Sequence, residues 1–297
     1  MLKNTGITIA LAMLSMVGAL GIDAYLPSFP AIIQDFQTTP LAVQQTLSIY
    51  VGAMAITTLF AGTLSDSFGR RPTVIVSLLL FTAGSALAIF AKDIQVLLLA
   101  RALQGVAAGF GSVLSRTIVQ DRFQGAEAQR VMALIMMVFS IAPSFAPVID
   151  SWLQATFGWH SVFIMLTSYG LVLWLLWQLG IPETLPKAQR MPLQLGRIVG
   201  NYGKVLCHRV FILRALSIAM IFIGVAIYIS SAAPYIINIL GLSETSFAWM
   251  FIPMTLGMLG GSSASRRLAR KVAPSRLIFV GFVLMLGATF SSVVYTS

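Results

Sequence analysis

Apolar positions run through this chain in long blocks, and rare charges mark the ends of the blocks. Uncharged stretches lie between Lys3 and Asp23, Asp35 and Asp66, Arg71 and Lys92, and Asp93 and Arg116, the last interrupted only by Arg101. Others lie between Arg130 and Asp150, Asp150 and Glu183, Arg214 and Glu244, Glu244 and Arg266, and from Arg276 to Ser297. A helix that crosses the hydrocarbon layer needs about 20 mainly apolar residues. Backbone groups in lipid must be satisfied within the segment, so each block predicts a helix, nine in all. The first block carries a single Lys, lacks a small-residue cleavage signal and is followed by eight more, so it reads as a span rather than a leader.

The punctuation between blocks divides the chain. Six predicted spans fill residues 1–180. Residues 181–211 are the longest polar stretch, with Pro182, Pro186, Pro192 and a run of basic residues. They predict a linker with a surface helix around Leu193–Val205. Residues 212–297 hold three further spans. A weak repeat joins the two bundles: the basic turn Gly62–Pro72 after the second span has a counterpart in Gly260–Lys271 after the eighth, and Tyr25-Leu26-Pro27 has one in Ala233-Pro234-Tyr235. Parallel repeats of this kind build several transporter folds. If both halves hold six spans, the second stops here after three, so the chain is expected to be a truncated form of a longer one.

Composition sharpens this picture. Of 297 residues, 58% are hydrophobic and 9% charged, and mean hydropathy is +0.90. Soluble domains carry about 25% charged residues, so this chain cannot clothe a water-facing surface. The net charge of +10 raises nucleic acid as a partner, but the distribution excludes it. With the N-terminus inside, every Lys and Arg except Lys92 and Arg101 falls on cytoplasmic loops, as membrane topology demands. The lone Cys207 and the distant His160 and His208 supply no metal set, and no phosphate-binding loop is present. No cofactor, metal or enzymatic activity is expected; the lipid bilayer is the expected partner.

The strongest motif is Gly62-x-x-x-Asp66-x-x-Gly69-Arg70-Arg71. Glycines permit a tight interhelical turn. Asp66 can pair with an arginine or face a helix N-terminus, and such a cluster can break and re-form as bundles rock. Arg101 enters a predicted span by a few residues, so it either faces the bundle interior or snorkels to the interface. Gln104 lies one turn away on the same face. Asp23 either marks the outer end of the first span or carries a proton, since a carboxylate withdrawn from water can bind and release one. Asp150 is similar in position. Gly105-x-x-x-Gly109 permits close helix packing, and Pro143 and Pro147 are expected to bend the fifth span.

These stretches resemble the major facilitator superfamily. Gly62–Pro72 is similar to its motif A, and Arg101-x-x-Gln104-Gly105 to its R-x-x-Q-G motif, with Asp121 at a position where the family often carries Asp. Ala142-Pro143-Ser-Phe-Ala146-Pro147 resembles the antiporter signature of drug exporters, and Asp23-Ala-Tyr25-Leu26-Pro27-Ser-Phe-Pro30 resembles the Bcr/CflA drug-resistance subfamily. Pro182-Glu183-Thr184-Leu185 fits as well. The signature's usual glycine pair is replaced by Val148-Ile149-Asp150, and the usual Trp-Arg by Trp159-His160. The resemblance implies an all-α membrane bundle in the bacterial inner membrane, exporting drug-like or amphiphilic compounds in exchange for protons. It implies Asp23 and Arg101 for proton coupling, and Tyr25, Tyr50 and Gln104 for the substrate cavity. For the gate it implies Gly62, Asp66, Gly69, Arg70, Arg71 and Asp121, with Asp121 bridging to the motif A arginines. A carrier of sugars or amino acids, or an inactive fragment, remains open at this point.

Overall fold

The structure is a computed structural model that describes residues 2–193 and 195–234, scattered positions between 253 and 272, and residues 274–296. All regular elements among the described residues are helical. Helices α1 (Leu2–Asp23) and α2 (Phe29–Asp35) are joined by a 3-10 turn, Leu26–Ser28. Then follow α3 (Pro40–Phe68), α4 (Arg70–Ile89), α5 (Ile94–Arg122), α6 (Gly125–Phe157), α7 (His160–Gly180), α8 (Leu195–Leu206) and α9 (Arg209–Pro234). These belong to one compact unit, Met1–Phe251. A second unit, Ile252–Ser297, carries α10 (Pro274–Thr296).

Helix ends follow local chemistry. The Thr39 side chain accepts from Ala42 N at 3.2 Å, with Pro40 opening α3. Asp93 does the same for α5, accepting from Val96 N at 2.9 Å. Each satisfies a donor that the first helical turn leaves free. Gly69 alone separates α3 from α4, at φ 102°, a left-handed value that side chains rarely adopt. Trp159 Nε1 donates to Asp35 at 3.0 Å, tying the end of α2 to the start of α7.

Helix α5 is the hub of the first unit, packed against α3, α4 and α1. Its small residues make this possible. A Cβ on Gly109 would stand 2.7 Å from the Met54 carbonyl oxygen, and one on Gly105 would run into the Tyr50 carbonyl. The expected close packing at Gly105 and Gly109 is therefore a backbone-to-backbone approach of α5 to α3. Helix α4 packs in turn on α7, and α1 on α6.

The unit exposes large apolar side chains and buries several charged and polar ones. Ile56, Leu59, Val76, Leu79, Ile164 and Leu171 are exposed, while Asp23, Arg101, Gln104 and Asp150 are buried. That inversion suits lipid as the solvent. Five described helical segments are long and apolar enough to cross a membrane: Gly6–Asp35, Pro40–Phe68, Arg70–Ile89, Ile94–Arg122 and His160–Gly180. Three further expected spans coincide with α6, α9 and α10, while the one expected between Glu244 and Arg266 lies outside the described residues, as does most of the Gly260–Lys271 repeat.

Two span boundaries require correction. Asp23 does not close the first span, which continues through the 3-10 turn to Asp35. Asp150 sits inside α6 rather than at its end. Both carboxylates are interior, 4% and 0% exposed. Gly62 also differs from expectation: it lies inside α3, away from the turn, with open space where a Cβ would stand. Pro143 and Pro147 fall within α6, and their side chains lie outside the described residues.

Candidate functional site

Two arginine-centred clusters lie at opposite ends of the first unit. The inner cluster begins with a defect in α1. Tyr25 N donates to Ile22 O at 3.4 Å, a three-residue step that starts the 3-10 turn. The Gly21 carbonyl, the ordinary four-residue acceptor, takes a bond from Arg101 Nη2 at 2.8 Å instead. Arg101 Nη1 donates to Gln104 Oε1 at 2.8 Å, and Gln104 Nε2 passes the chain on to Ser85 Oγ at 2.7 Å. The guanidinium lies 4.5 Å from the Tyr25 ring centre and 4.2 Å from that of Tyr50. Ring faces attract cations, more strongly where water is excluded.

Hydroxyls hold both rings in place. Thr46 donates to Val43 O at 2.6 Å, so Tyr25 must be the donor in its 2.8 Å bond to Thr46 Oγ1. Tyr50 donates to Gly18 O at 3.0 Å. Arg101, Tyr25, Tyr50 and Gln104 are all fully buried, which settles the choice between interior and snorkelling positions for Arg101. Tyr25, Tyr50 and Gln104 thus enclose the guanidinium. Arg101 Nε has no partner, and among the described residues no carboxylate pairs with Arg101. Asp23 is buried on the adjoining turn of α1 and forms no ion pair among the described residues. Asp150, which sequence placed at a span end, accepts from Ser28 Oγ at 3.1 Å and so joins α6 to the 3-10 turn.

The second cluster surrounds the α3–α4 joint. Arg70 Nη1 meets Asp66 Oδ1 at 2.5 Å and Ser65 Oγ at 2.5 Å, and its Nε meets Asp121 Oδ2 at 2.9 Å. Asp121 thereby bridges α5 to motif A. The carboxylate facing the α4 N-terminus is Glu183 rather than Asp66: its Oε1 accepts from Arg70 N at 3.0 Å and Arg71 N at 3.4 Å, and also from Thr184 N and Leu185 N at 3.0 Å each. A carboxylate there satisfies free amides and complements the helix dipole. Glu183 Oε2 pairs with Arg190 at 3.3 Å, and Met191 N donates to Asp66 O at 3.1 Å. A Cβ on Gly69 would collide with Glu183 and Arg190. Sequence assigned Glu183 no role beyond family fit; its only signal was its place in a proline-bounded loop, between Pro182 and Pro186.

The profile of the Major Facilitator Superfamily matches residues 11–297. The chain belongs to this superfamily. Among curated relatives, the uncharacterized MFS-type transporter YdgK of Bacillus subtilis is 33% identical over 289 residues, covering 97% of this chain and 72% of its own. The bicyclomycin resistance protein homolog of Haemophilus influenzae is 30% identical over 286 residues, 95% of this chain and 71% of its own. The major facilitator fold is also seen in the crystal structure of a bacterial homolog to the human lysosomal transporter Spinster, with a TM-score of 0.69 at 15% identity over 91% of this chain and 64% of that one. As a major facilitator protein, the chain is a multi-pass membrane transporter by family, and it spans about 70% of the length of those two curated relatives.

Proposed function

We propose that this protein exports small drug-like or amphiphilic compounds across the bacterial inner membrane in exchange for protons, by alternating access, with its N-terminus in the cytoplasm. Similarity to a bicyclomycin resistance protein homolog supports the substrate class. The observation that carries the coupling is the separation of charges in the inner cluster: Asp23 and Arg101 are both buried, yet they form no ion pair. A buried carboxylate bound to an arginine would stay ionised, whereas one without such a partner is free to take up and release a proton. Arg101 then supplies a fixed positive field, held by neutral groups, that biases this exchange. Inward proton flow would contribute about 2.3 kcal/mol per 100 mV of membrane potential.

In this reading Tyr25, Tyr50 and Gln104 border the substrate cavity when the bundle opens, and the protein acts as a monomer. Asp66, Gly69, Arg70, Arg71 and Asp121 form the cytoplasmic latch, with Glu183 as its anchor. The test is gradient-driven uptake of ethidium into proteoliposomes carrying the 297-residue chain. Uptake is expected for the wild type and absent for Asp23→Asn. Full uptake by the Asp23→Asn variant would remove Asp23 from the coupling site.

A further inference from the structure

A cleft of about 610 Å³ opens near the second cluster, between the N-terminal turns of α1 and the C-terminal end of α7. Its walls include Ile7 and Ala10 from α1, Leu176 and Leu179 from α7, and Ile181 and Pro182 just beyond. Two cations stand on it, Arg71 and Arg122. Neither forms an ion pair among the described residues. The acids around them are engaged: Asp66 and Asp121 with Arg70, and Glu183 with Arg190 and four backbone amides. Arg71 reaches the Gln178 carbonyl with Nη2 at 2.8 Å, and its buried Nε has no partner.

An occupant must therefore be anionic at one point and apolar over most of its surface. A soluble anion would use the arginines and waste the walls; a neutral apolar compound would leave both arginines without a counter-charge. We propose that the cleft binds an anionic phospholipid, its phosphate between Arg71 and Arg122 and its acyl chain along Leu176 and Leu179. Arginine suits this task because its planar fork matches phosphate oxygens in pairs. Leu176 and Leu179, one turn apart, are 44% and 83% exposed, which leaves a path from the cleft to the lipid-facing surface.

Native mass spectrometry of the purified 297-residue chain tests this. Phosphatidylglycerol and phosphatidylcholine with identical acyl chains are titrated separately, and glycerol phosphate is added as a soluble competitor. The wild type is expected to retain phosphatidylglycerol about tenfold more tightly, the scale of one charge-assisted hydrogen bond. Arg122→Gln, an exposed and fold-neutral change, should remove most of that preference, and Arg71→Gln with Arg122→Gln all of it. Arg71→Lys should keep part of it, and Arg116→Gln, on α5 but outside the cleft, should keep all of it. Equal loss in Arg116→Gln, or an unchanged preference in the double variant, would reduce the effect to general surface charge and overturn the site. Displacement of the lipid by equimolar glycerol phosphate would make it a soluble-anion site and overturn the lipid assignment.

Discussion

Arg101 and Arg70 are both buried in the same helical unit, 0% and 6% exposed, yet their charges are met in opposite ways. Arg70 faces two carboxylates and a hydroxyl. Arg101 faces two aromatic rings, an amide oxygen and a carbonyl released by a break in α1. Arg101 and Arg70's partner Asp121 stand near opposite ends of α5, 20 residues apart, roughly 30 Å at 1.5 Å per residue. At the Arg70 end water reaches the acids, with the Asp66 and Asp121 side chains 41% and 24% exposed, so ion pairs form and dissolve cheaply there. At the Arg101 end an acid partner would create a permanent pair and quench both charges. Neutral partners hold the guanidinium in place, and in the proposed cycle they leave Asp23 unpaired for proton exchange.

The contrast can be broken at four points. The largest effect is expected from Gly105→Val, whose side chain would run into the Tyr50 carbonyl. Prising α3 from α5 should cost about 3 kcal/mol, the upper end of core overpacking, and thermal unfolding in detergent would read it; an unchanged midpoint would mean the helices do not meet this closely. Next comes Arg70→Met, which leaves Asp66 and Asp121 without their shared cation. A fully buried orphaned charge costs about 3–5 kcal/mol, and partial exposure of both acids should reduce this to about 1–2 kcal/mol. Arg101→Met is expected to lie within about 1 kcal/mol of the wild type, since removing a desolvated charge offsets the lost bonds, while ethidium uptake disappears. A fall in stability as large as that of Arg70→Met would erase the difference between the two clusters. The smallest effect belongs to Glu183→Gln, which keeps the Oε1 acceptor for the backbone amides and loses the Arg190 pair and the charge at the α4 N-terminus, together roughly 0.5–1 kcal/mol at this exposure. A loss above 2 kcal/mol would show that its charge, rather than its oxygen, holds the joint.

Much of this was legible from residue order. Hydropathy blocks give the helices, and the pairing of Arg101 with Gln104 follows from their one-turn spacing. Asp121 meeting Arg70 follows from both lying at the same end of neighbouring spans. The failures have distinct physical sources. Reading spans from charge to charge treats every charge as an interface, so the buried Asp23 and Asp150 become span ends. The Gly21 acceptor for Arg101 is 80 residues away in sequence and exists only because the helix ladder slips before Pro27. Glu183 is hidden for a similar reason: its backbone partners at Arg70 and Arg71 carry no side-chain signal. Gly62 shows the converse, a motif glycine whose turn chemistry resides entirely in Gly69.

That single-residue joint has a consequence for engineering. Gly69 leaves no slack between α3 and α4, so one added residue has no loop to absorb it. Extending either helix by one position turns everything beyond it by about 100°. Such an insertion would swing Arg70 off Asp121 and carry the inward stripe of α4, including Val74, Ser77, Phe81 and Ser85, toward lipid. Epitope tags and reporter fusions belong after Met191 and before α8 instead, and an insertion scan should find the Gly69 position the least forgiving in the first half of the chain.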